Sequence, residues 1–132
     1  MRHHKARAWE RKLDELLNRI DVDLERKYGD RYPLHPARPE HGDTANPSQS
    51  GLFNVNAAFT GGFGSKLGAG YLLDVDMVTL TEVPDEVEEQ ILEEVVERLR
   101  QELPGVFPDR ELHVSRDGHS FKIHGDLGLG QV

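Results

Sequence analysis

The sequence predicts an α+β domain of element order α-β-β-α-β-β, a four-stranded antiparallel sheet with both helices on one face. Two long segments carry apolar residues at helical spacing, and two pairs of shorter segments carry them at every second position. Each pair is interrupted by turn chemistry, a glycine loop in the first and Asp117-Gly118 in the second. With 132 residues and 36% hydrophobic content, one modest core is expected.

The first helix is predicted from about Lys5 to Tyr28, because Trp9, Leu13, Leu16, Leu17, Ile20 and Leu24 share one stripe. Gly29 is expected to end it in the left-handed conformation. At 1.5 Å per residue it would run roughly 36 Å, longer than a small domain needs. Its stripe is close to a heptad seam, so a homo-oligomer, most simply a dimer, is expected through this N-terminal helix.

Residues 30–50 read DRYPLHPARPEHGDTANPSQS, with prolines at 33, 36, 39 and 47 and almost no apolar residues. Such a stretch forms no regular element and is expected to be a linker, mobile or laid against a neighbouring surface. The chain thus divides into an N-terminal helix (1–29), a proline-rich arm (30–50) and a compact α+β domain (51–132). His35 and His41 lie six apart on the proline-rich arm; they are weak metal candidates and are expected to be solvated.

In the first strand, Phe53, Val55, Ala57 and Phe59 alternate with Asn54, Asn56 and Ala58. In the second, Tyr71, Leu73, Val75, Met77 and Thr79 alternate with Leu72, Asp74, Asp76, Val78 and Leu80. Between them TGGFGSKLGAG places five glycines around Lys66. A nucleoside-triphosphate loop needs a helix straight after the Lys-Ser/Thr pair, and here a strand follows. The glycine spacing also fails the dinucleotide fingerprint, and Phe63 and Leu67 occupy the glycine positions of an esterase elbow around Ser65. The loop is therefore expected to turn the chain; a secondary reading has Lys66 with the Gly62 and Gly64 amides holding an anion.

The second helix is predicted over TEVPDEVEEQILEEVVERLRQELPG, opened by Pro84 and an Asp85/Glu88 capping box and closed by Pro104-Gly105. In the last hairpin, Asp117-Gly118 predicts a type I′ turn with both residues central. That register would pair Leu112 with Ile123, Val114 with Phe121, His113 with Lys122, and Glu111 with His124.

The order α-β-β-α-β-β is similar to that of the LAGLIDADG homing endonucleases, but their acidic helix motif is absent, so the likeness carries no function. The absence of cysteine excludes disulfides and thiolate metal sites. No apolar run reaches the roughly 20 residues that span a bilayer, so no membrane partner is expected, and the lack of a secretory leader points to the cytoplasm. Net charge is −8: residues 1–12 hold five Lys/Arg against Glu10, leaving −12 on the other 120 residues, so nucleic-acid binding is not expected.

If both hairpins join one sheet, its helix-free face collects Asn54, Asn56, Asp74, Asp76, His113, Lys122 and His124. The catalytic candidates are Asp74, Asp76, His113 and His124. Asp74 and Asp76 are also the metal candidates; no cofactor is expected other than a divalent cation on that pair. Two functions follow. The leading one is a small non-catalytic binding or assembly module that self-associates. The alternative is a metal-dependent phosphoester hydrolase in which Lys66 or Lys122 receives the phosphate.

Overall fold

The computed structural model describes residues 4–41, 43–44, 50–62 and 64–125. Arg2 of the basic amino-terminal run and Pro47 of the arm lie outside the described residues. The elements are α1 (His4–Tyr28), β1 (Phe53–Thr60), β2 (Gly70–Met77), α2 (Asp85–Val106), β3 (Leu112–Asp117) and β4 (Ser120–Gly125). The strands form one antiparallel sheet in the order β1-β2-β4-β3, with both helices on one face. The α+β class and the element order are those the sequence predicts.

The stripe of α1 is sealed within its own chain. Trp9, Leu13, Leu16, Leu17, Ile20 and Leu24 are all buried, in one core with Phe53, Val55, Tyr71 and Leu73 of the sheet and Ile91, Val95 and Leu99 of α2. Trp9 stacks between Tyr71 and Phe107, at centroid distances of 4.9 and 4.7 Å. A large apolar side chain gains about 1.5–3 kcal/mol by leaving water, and here the chain's own sheet and α2 supply the cover. The dimer expected through this helix loses its seam for that reason. Polar links also join the helices: Arg98 bridges Asp23 and Glu102 at 2.7 Å each, and Tyr28 donates its hydroxyl to Glu94 at 2.7 Å.

Three local expectations are corrected. Gly29 is absent from the left-handed glycines; a Cβ there would lie 2.5 Å from the Glu25 carbonyl oxygen, so close approach requires glycine. Helix α2 runs through Pro104-Gly105 to Val106, the Phe107 N–H bonding the Leu103 carbonyl at 2.8 Å, and its N-cap is Pro84 without a side-chain bond.

The third correction is the last hairpin. Asp117 pairs with Ser120, so Gly118 and His119 are the central residues. Gly118 takes φ +66° and no non-glycine residue among those described, His119 included, has positive φ, which fits a type II′ turn with glycine first. Each pairing moves by two residues: Val114 faces Ile123, Ser115 faces Lys122, and His113 faces His124. A shift by two preserves the side-chain period, so the two faces keep their expected occupants.

The described part of the arm has no helix or strand, yet it is bonded to the body. The His35 N–H reaches the Val78 carbonyl at 3.0 Å, and the Pro39 carbonyl accepts the Gly51 N–H at 2.8 Å. Arg38 donates to the carbonyls of Gly51 at 3.1 Å, Ser50 at 3.3 Å and Phe53 at 3.0 Å.

Candidate functional site

On the helix-free face, pairing of β1 with β2 sets Asn54 opposite Asp76 and Asn56 opposite Asp74. Successive residues of one side of a strand project together, so the two aspartates stand side by side. Partial burial, the Asp76 charge and a hydrogen bond with Asp76 raise the pKa of Asp74. Asn56 Nδ2 donates to Asn54 Oδ1 at 2.5 Å.

The histidines share this face but stand elsewhere. His113 and His124 are directly opposed, with ring centroids 5.5 Å apart. His124 Nε2 lies 2.9 Å from Ser115 Oγ, and His113 Nε2 lies 3.7 Å from Glu111 Oε1. Burial, then His113 and Lys122, push the His124 imidazole below its ordinary range against the pull of Asp117. Leu72 pairs with Lys122, so extending the ladder places His124 beside Gly70. Gly70 is four residues from Asp74, roughly 13 Å along the strand. The expected constellation therefore divides into an acidic end and an imidazole end, and neither histidine reaches the aspartates.

Lys122 occupies the ground between them, buried to 1% exposure beneath the glycine loop. Its Nζ donates to Ser65 Oγ at 2.9 Å and Gly68 O at 2.7 Å, and lies 2.8 Å from Asp117 Oδ2. Ser65 Oγ donates to the same Asp117 oxygen at 2.9 Å and accepts the Leu67 N–H at 3.1 Å. Lys122 first and Ser65 second hold the Asp117 carboxyl below its usual range. An ammonium with three filled contacts is neither a base for Ser65 nor a free phosphate receptor. The group is a clip that fastens loop to sheet. Lys66 points outward and is exposed, and the Gly62 N–H bonds Thr60 Oγ1 at 3.3 Å.

A second polar group, at the junction of α1, the arm and β1, was not expected from the sequence. Glu25 accepts the N–H groups of Leu52 at 2.8 Å and Phe53 at 3.3 Å. One turn earlier Asp21 is wholly buried, and among the described residues neither of its oxygens has a hydrogen-bond partner; nor has the buried Ser50 hydroxyl. Burial pushes the Asp21 carboxyl up to about 7, and the Glu25 charge adds to the rise. Arg38 and the Val55 backbone amide oppose it, the amide lying near without ordinary hydrogen-bond geometry. Asp21, Glu25 and His41 bring one donor atom each within 4.8 Å of one another, the group of metal-type ligands found among the described residues. The available signal was Asp21 itself, an acid set between Ile20 and Leu24 on the apolar stripe.

Over residues 4–125 the chain matches a protein family described as "Uncharacterised protein". It is 37% identical over 121 residues to an "Uncharacterized protein" of Borreliella burgdorferi, a match covering 92% of this chain and 94% of that relative. No solved structure matches the chain.

Proposed function

Since the chain belongs to this family of uncharacterised proteins, we propose, from its geometry, that it is a non-catalytic binding module that docks a basic protein segment on its helix-free sheet face. The observation that carries this reading is the state of Asp74 and Asp76. They are exposed, adjacent and without an ion pair among the described residues. The acids of α2 are more numerous, and three of them are engaged: Glu89 with Arg116, Glu94 with Lys27, and Glu102 with Arg19 and Arg98. A lysine or arginine side chain docking at β2 would offset the repulsion from Asp76, which adds to burial in raising Asp74.

The rest of the sheet favours this face over its edges. The outward groups of β1 are occupied at its start, the Phe53 N–H by Glu25 and its carbonyl by Arg38. On the opposite edge, Arg100 donates twice to the Val114 carbonyl, at 3.2 and 2.8 Å. Charged side chains turned onto edge strands discourage strand addition, and α1 and α2 cover the other face. Self-association through the N-terminal helix is not part of this reading, because its stripe is already buried.

Fluorescence anisotropy with a labelled Lys/Arg-rich peptide tests it. Binding that weakens with salt and falls at least tenfold in Asp74→Asn/Asp76→Asn is expected; affinity unchanged in that variant would sink the proposal. The hydrolase alternative uses the same aspartates but would need the imidazole end brought to them. Mn²⁺-dependent cleavage of a chromogenic phosphodiester, abolished by Asp74→Asn, would establish the hydrolase instead.

A further inference from the structure

We propose that Asp21, Glu25 and His41 form a divalent transition-metal site that fastens the proline-rich arm to α1. Two independent observations meet here. The three donor atoms lie within 4.8 Å of one another, and the wholly buried Asp21 side chain presents two oxygens with no hydrogen-bond partner among the described residues. Burying a polar group without a partner is costly, so such a group in a folded core calls for an unseen partner.

The donor set selects the class of ion. One imidazole and two carboxylates suit Zn²⁺ and its neighbours Mn²⁺ and Co²⁺; Mg²⁺ and Ca²⁺ prefer oxygen alone. Asp21 and Glu25 are one helical turn apart on α1, so their spacing is fixed by the helix. Glu25 is further anchored by the Leu52 and Phe53 amides, which leaves lone pairs on its oxygens. His41 is the adjustable ligand, exposed beside the turn in which the Asp43 N–H meets the Glu40 carbonyl. Donors around one tetrahedral Zn²⁺ at about 2.1 Å stand about 3.4 Å apart, so His41 has a short distance to close. Arg38 is a nearby cation whose charge favours the Asp21 carboxylate, and it lowers the cation affinity the two carboxylates would otherwise give. Its own donors are turned to the carbonyls of Ser50, Gly51 and Phe53.

The site lies at the β1 edge and not on the helix-free face, so this inference and the docking proposal can fail separately. The test is calorimetric titration of the full, chelator-treated chain with Zn²⁺, alongside Mg²⁺. One Zn²⁺ per chain is expected, with affinity at least tenfold weaker for His41→Ala and for Asp21→Asn, unchanged for His113→Ala/His124→Ala, and no Mg²⁺ binding. Zn²⁺ should also slow protease cutting between residues 30 and 50 at least tenfold in wild type but not in His41→Ala. Because His41 is exposed, its removal leaves the core intact and keeps the test decisive if Asp21→Asn folds poorly. Zn²⁺ binding lost only with His113 and His124, or no stoichiometric binding to wild type, would overturn the proposal.

Discussion

Asp21 and His124 pull stability in opposite directions with pH. In the metal-free protein the Asp21 carboxyl releases its proton near 7 when folded and near 3.8 when unfolded. Its contribution is therefore full below pH 3.8 and is lost as pH rises towards 7. At 1.36 kcal/mol per unit, Asp21→Asn should gain on wild type by up to about 4 kcal/mol between pH 4 and 8, read from urea midpoints. A difference that stays flat with pH would refute the burial effect. For His124 the folded value lies below the unfolded one, so its contribution is present above pH 6.5 and lost on acidification. His124→Gln should remove that acid-side loss. Lys122 makes the sharpest single-residue case: Lys122→Met leaves the Ser65 hydroxyl, the Gly68 carbonyl and Asp117 without their shared donor. The expected cost is about 1–3 kcal/mol, with faster amide exchange confined to residues 61–69. Exchange that rises evenly across the sheet would show that Lys122 supports the whole fold and does not merely fasten the loop.

Among the elements, periodicity made the helices, the strands and their faces legible, because burial on one side imposes a spacing that survives in the text. Asn54, Asn56, Asp74, Asp76, His113 and His124 do share one face. Their distances along it were not legible, since the pairing of β2 with β4 is long-range and no local signal encodes it. The hairpin failed more locally. Asp-Gly suits type I′, but the Asp117 carboxylate is held by Lys122 and Ser65, which keeps Asp117 at the end of β3 and moves the turn to Gly118-His119. Gly118→Val should then cost about 1–3 kcal/mol, because φ +66° suits glycine and strains a β-branched side chain. Cross-strand amide and α-proton NOEs should join His113 with His124; contacts joining His113 with Lys122 would restore the other register.

For the whole molecule, amphipathicity recorded that α1 must be covered but not by what. The arm explains the ambiguity: with almost no apolar residues it looks like a tether, yet Arg38 and the His35 amide bind it to the body and leave α1 on its own sheet. Sedimentation should accordingly give 14.9 kDa across micromolar concentrations. Leu13→Asp/Leu16→Asp should unfold the chain, because it places unpaired charges among fully buried core residues. With the α1 stripe buried and charged side chains turned onto part of each edge strand, the proposed docking rests on the helix-free face. The most direct measurement is an amide chemical-shift map recorded while a Lys/Arg-rich peptide is titrated into the full chain. The expected result is a set of shifts centred on Asn54–Asn56 and Asp74–Asp76 that disappears in Asp74→Asn/Asp76→Asn. Shifts concentrated instead on the exposed acidic side of α2, or no shifts at all, would contradict it.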